Sequence, residues 1–257
     1  MPVRVRYYTD PACPGSWAAE PQRHALLVEF GKDLPFTYVM GGLARDYEGD
    51  HGAHVARWLD LAAASRMPFD PRLWTEGPIR TSYPACMAVK AAQEQGPEAA
   101  ERYLRAAREG LMCGRRKLDG AEPLAEVARD AGLDLARFRV DLDSNAIVEA
   151  FGVDLDETRS QGRELPFLRF EGGDAVPAGA PYEEWRAAAL AAGAEPSAEP
   201  RPDPLGALRR FGRLATVEVE AACDLSRQAA ETELWRLAGE GRVRPVRALT
   251  ATLWEPA

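Results

Sequence analysis

The sequence predicts an α/β chain: a small sheet split by a large helical block, with a separate module after it. Three observations carry this. Strand, helix and strand follow one another at the start of the chain, the pattern of a βαβ unit. Strand character returns far downstream in "LPFLRFEGGDAVPAG". A proline-dense segment, "AEPSAEPRPDP", then sets the C-terminal stretch apart.

Val3 to Tyr8 is rich in β-branched and aromatic residues and reads as the first strand. From Trp17 to about Phe30 the spacing is helical, with Trp17, His24, Leu27 and Val28 able to share a face, and Gly31 stops it. "LPFTYVMGG" is the second strand. From about residue 54 to 161 the apolar residues recur at helical spacing between Gly and Pro punctuation. Phe167, Leu168 and Phe170 start a hairpin, and "PYEEWRAAALAAG" is a closing helix. Hairpin plus helix is the second half of a thioredoxin-like fold, so the helical block is an insertion between the halves. The expected organisation is a thioredoxin-like domain over 1–194, a linker over 195–204 and a small module over 205–257. In the module a helix from Thr216, a turn at "CDLS", a helix from Ser226 to about Glu240 and two β segments give a winged-helix-like outline.

Composition narrows the function. The chain of 257 residues has a formal net charge of -8, which disfavours non-specific binding to nucleic acid or membrane surfaces. No segment approaches the ~18 apolar residues of a membrane span, and the N-terminus lacks a signal-peptide pattern. A cytoplasmic protein is expected. The four cysteines, Cys13, Cys86, Cys113 and Cys223, are far apart and form no CxxC, so free thiols are the expectation. With three histidines, His24, His51 and His54, no zinc pattern can be built; His51 and His54 read as a solvated loop, and no metal is assigned.

"YYTDPACPGSWAAEP" places Cys13 just before the first helix. Pro14 suits a first helical position because its missing N–H would be unpaired there. A thiol at a helix start, partly exposed and beside the Ser16 hydroxyl, is expected to have a lowered pKa. The alternative is a buried small residue.

The opening motif resembles the active-site segment of the DsbA-like thioredoxin-fold family, in particular its cytosolic FrnE-type branch. "TSYPACMAVKAA" resembles its insertion helices and "ELPFLRF" its cis-proline segment. The resemblance covers roughly 3–193. It implies that Cys13 is the nucleophile, that Pro166 is the facing cis-proline with Leu165 exposing its backbone to substrate, and that Pro14 and Trp17 shape the site. It also exposes a departure: Ser16 stands where redox members carry their second cysteine, which resolves the mixed disulfide.

The expectation is therefore a monothiol thiol–disulfide oxidoreductase. Cys13 and Ser16 are its catalytic residues, and Pro14, Trp17, Leu165 and Pro166 position a protein or small-molecule thiol or disulfide. No cofactor is bound; glutathione or mycothiol is the candidate co-substrate. Two alternatives stand beside it. One is a transferase or isomerase dependent on such a thiol, as in the kappa-class relatives. The other is a non-catalytic adaptor of the kind that recruits a regulator for proteolysis. Cys86 or Cys113 could resolve Cys13, but the apolar setting of Cys86 favours a structural role. In the C-terminal module the helix from Ser226 carries Glu231, Glu233 and Glu240 against Arg227 and Arg236. Such a balance disfavours DNA binding and points to docking on the first domain, on a partner or in a homodimer.

Overall fold

The computed structural model describes residues 2–257. β1 (Val5–Thr9) runs parallel to β2 (Phe36–Met40), with Val5 opposite Phe36. Between them lie α1 (Pro14–Ala18) and α2 (Glu20–Phe30). The single helix expected from Trp17 to Phe30 is thus broken at Ala19, because Pro21 in the first turn of α2 restarts the chain. The insertion comprises α3 (Gly52–Ser65), α4 (Leu73–Glu76), α5 (Tyr83–Gln93), α6 (Pro97–Met112), α7 (Ala121–Asp130), α8 (Leu135–Leu142) and α9 (Asn145–Ser160). β3 (Phe167–Phe170) returns antiparallel to β1, β4 (Ala175–Pro177) pairs with β3, and α10 (Tyr182–Ala191) follows. The sheet order is β2-β1-β3-β4.

Alternation along β1 assigns its faces. Val5 and Tyr7 point into the main core, which also holds Trp17, Leu26, Leu168 and Trp185. Tyr8 points the other way, stacking on Phe167 at 4.4 Å between ring centres. Its hydroxyl donates to Glu157 of α9 at 2.6 Å. The outer edge of β2 is covered by the insertion: Met40 N–H donates to Asp154 of α9, and Gln93 of α5 donates to the Tyr38 carbonyl. Inside the block α5 is buried almost all round, through Ala85, Cys86, Ala88, Val89, Ala91 and Ala92. Small side chains let its neighbours approach closely.

The last stretch forms α11 (Pro204–Phe211), β5 (Leu214–Ala215), α12 (Thr216–Cys223), α13 (Arg227–Gly239), β6 (Val243–Arg247) and β7 (Thr252–Pro256), with sheet order β5-β7-β6. α11 was not foreseen, although Asp203 accepts from Gly206 N–H as its cap and Pro204 begins it. A second core of Leu205, Leu208, Val219, Leu234, Leu237 and Trp254 includes Val28 of α2. Conversely Ala215, Val217 and Leu253 belong to the main core. The two cores meet where α12 lies along α2, so α2 is buried on both sides. Trp235 of α13 stands 56% exposed with its ring edge-on to Trp254.

Candidate functional site

The β1–α1 turn is built around Asp10. Its carboxylate accepts from Ala12 N–H at 2.7 Å, Leu43 N–H at 2.6 Å, the Ser82 hydroxyl at 2.7 Å and the Cys86 thiol at 3.2 Å. Burial nevertheless raises its pKa. Cys13 caps α1 with extended backbone, and its carbonyl accepts from Ser16 and Trp17 N–H. The Leu165–Pro166 peptide bond is cis, and Pro166 faces the turn. A Cβ on Gly15 would lie 3.1 Å from Pro166 Cδ and 3.8 Å from Cys13 Sγ, so only glycine fits there without displacement. Leu165 closes the other side against Gly41, where an added Cβ would meet its Cδ1 at 2.5 Å. The structure therefore brings Cys13, Pro14, Ser16, Trp17, Leu165 and Pro166 to one place.

The expected state of the thiol is corrected. Cys13 is buried, at 1% exposure, and its pKa is raised. Desolvation dominates; hydrogen bonds from the Ser16 hydroxyl and N–H and the charge of Arg108 oppose it, while Asp10 adds to it. α1 is a single turn of five residues, too short to supply much dipole. Cys86 and Cys113 are pushed well above the ordinary thiol range, chiefly by burial.

Ser16 does more than replace a cysteine. Its hydroxyl pairs with that of Thr9 at 2.7 Å, and Arg108 of α6 donates to Thr9 at 2.5 Å. Arg108 also donates to Glu20 at 2.6 Å, whose other oxygen accepts from Arg23. These arginines hold the Glu20 carboxyl far below its usual range despite full burial. Trp17 donates to the Pro68 carbonyl, and the Arg105 guanidinium lies 4.4 Å over its ring. Sequence reasoning missed Asp10, Glu20, Arg105 and Arg108. A signal for Arg108 existed: Leu104 and Leu111 flank it at helical spacing, placing it on the apolar face of α6.

Among the described residues, Glu20, His24 and Glu218 place ligand atoms within 4.8 Å of one another. Arg23, Arg105 and Arg108 already occupy these carboxylates, so a cation would meet three guanidiniums, and the donor set does not fit a metal. His51 and His54, expected in a solvated loop, pack in an aromatic group; His54 stacks on Trp74 at 4.2 Å.

The thioredoxin family model matches residues 7–162. The chain belongs to this thioredoxin family. Two solved structures share its fold. A probable DsbA oxidoreductase from Streptomyces coelicolor is 21% identical, with 74% of this chain and 89% of that one covered and a TM-score of 0.61. The cytosolic disulfide reductase DsbM from Pseudomonas aeruginosa, solved with GSH, is 20% identical, with 72% and 96% covered and a TM-score of 0.58. This thioredoxin-family chain has other relatives that match it nearly end to end. The ClpXP adapter protein SpxH of Halalkalibacterium halodurans is 30% identical over 98% of this chain and 88% of its own length. That of Bacillus subtilis is 26% identical over 99% and 89%. These relatives overturn the expected oxidoreductase function: the proteins that share the C-terminal stretch are named as adaptors.

No helix among the described residues is long and apolar enough to cross a membrane.

Proposed function

We propose that the protein is an adaptor that binds another protein and presents it to a ClpXP-type protease, using a DsbA-like scaffold without depending on a nucleophilic thiol. The observation that carries this reading is the match to ClpXP adapter proteins across 98% of the chain, which includes the stretch after residue 204. The site is consistent with it. A buried thiol with a raised pKa and a serine in the second position suits a retained scaffold better than a disulfide-exchange centre. The paired charges of α13, Arg227 with Glu231 and Arg236 with Glu233 and Glu240, offer little to a phosphate backbone and favour a protein partner.

The test is reconstitution. Proteins captured by the chain are incubated with purified ClpXP and ATP, with and without the chain. We expect at least one captured protein to be degraded faster when the chain is present, and equally so with Cys13→Ala. No acceleration of any captured protein would sink the adaptor reading. Acceleration abolished by Cys13→Ala would show that the thiol is needed after all.

A further inference from the structure

The Ser16–Thr9–Arg108–Glu20 group does not end in the first core. Arg105, one helical turn before Arg108 on α6, approaches the second Glu20 oxygen at 3.4 Å. It also donates to both oxygens of Glu218 on α12, at 2.5 and 3.0 Å. Glu218 in turn accepts from Ala215 N–H at 2.6 Å, fixing the start of α12. Thr9, Ser16, Glu20 and Glu218 are all at or below 1% exposure, and the Arg108 and Arg105 side chains are 2% and 12% exposed. A continuous chain of charged and hydroxyl groups thus runs through the interior from the helix that follows Cys13 to the helix that docks the C-terminal module. A second route joins the same ends, because Arg105 lies over Trp17.

A guanidinium only donates. Thr9 accepts from Arg108, which leaves its own proton free for Ser16, and Ser16 N–H donates to the Cys13 carbonyl at 3.1 Å. Each member orients the next, and removing one charge in such a dry group leaves its partner uncompensated.

We propose that this chain couples docking of the C-terminal module to the Cys13 turn: α12 seated on α2 keeps Cys13 buried, and loosening α12 releases it. Ser16 is then a positioning residue, the hydroxyl through which the turn joins the chain, which a cysteine would do poorly. Coupling is reciprocal, so a change at Ser16 loosens α12 in turn. The proposal stands on the buried geometry and does not depend on the adaptor reading.

The test measures both directions in the full chain. Native alkylation of Cys13 by iodoacetamide, followed by mass spectrometry, is expected to quicken about tenfold in Glu218→Gln. Arg66→Ala, which cuts the exposed Arg66–Glu220 pair between α3 and α12, is expected to leave the rate nearly unchanged. In the reverse direction, Ser16→Ala is expected to speed protease cutting within 195–203 severalfold. An unchanged Cys13 rate in folded Glu218→Gln overturns the proposal, as does a rise shared equally by Cys86, which would mark general destabilisation. If Glu218→Gln does not fold, Ser16→Ala decides: cutting at the wild-type rate overturns the coupling.

Discussion

Cys13 illustrates how far local sequence carries. Its position before Pro14 follows from the motif "DPACPGSW", and its closeness to Pro166 from the family resemblance; the role of Gly15 as a spacer emerges only in the fold. The ionisation of Cys13 follows from neither motif nor resemblance, because that depends on how completely distant elements exclude water. Native alkylation should therefore proceed with a midpoint above the ~8.5 of an ordinary thiol. A midpoint below that value would contradict the burial that sets the shift. Ser16→Ala removes a buried hydroxyl pair and leaves Thr9 and Arg108 poorly matched. A loss of about 1–3 kcal/mol is expected in denaturant unfolding.

At the scale of elements, periodicity revealed the strands, the insertion helices and the closing hairpin, since each buries one recognisable face. It failed where burial is not one-sided. α2 reads with one inward face that includes His24 and Val28, yet Glu20 and Arg23 are inside as well, because α12 and α6 cover the remaining side. Charged residues at interior positions leave no periodic signal in the sequence; only their partners from other elements, Arg105, Arg108 and Glu218, show where they lie. Removing one partner tests this. Glu218→Ala leaves Arg105 uncompensated against Glu20 and Trp17, and a loss of about 3–5 kcal/mol is expected by denaturant titration. α11 escaped notice because its proline-rich approach read as linker to the end.

The whole molecule behaves as two interlocked cores rather than two beads on a linker. A chain ending at residue 203 would uncover Val28 and the buried polar side of α2, and is expected to aggregate in size-exclusion chromatography where the full chain does not. The seam also confers acid sensitivity. His24 lies 3.2 Å from Glu218 and 3.2 Å from Arg23, with Glu20 close by and the Phe211 ring at 4.6 Å. Burial lowers its pKa from 6.5, with Glu218 opposing the shift and Arg23 adding to it. Below about pH 6.5 the unfolded chain takes up a proton that folded His24 resists, so stability falls as pH drops through that region. Glu218, whose pKa is lowered from 4.5, adds stability above that value that is lost at still lower pH. The melting temperature is therefore expected to fall between pH 7 and 5, and His24→Gln should flatten that limb.

The tryptophans carry one more consequence. Trp17, Trp58, Trp74, Trp185 and Trp254 are all buried, and Trp235 alone is open to solvent. Collisional quenching of native fluorescence by acrylamide thus reads one indole, on the outer face of α13. The molecule contains its own optical reporter for anything that settles on its C-terminal surface, with no label and no substitution.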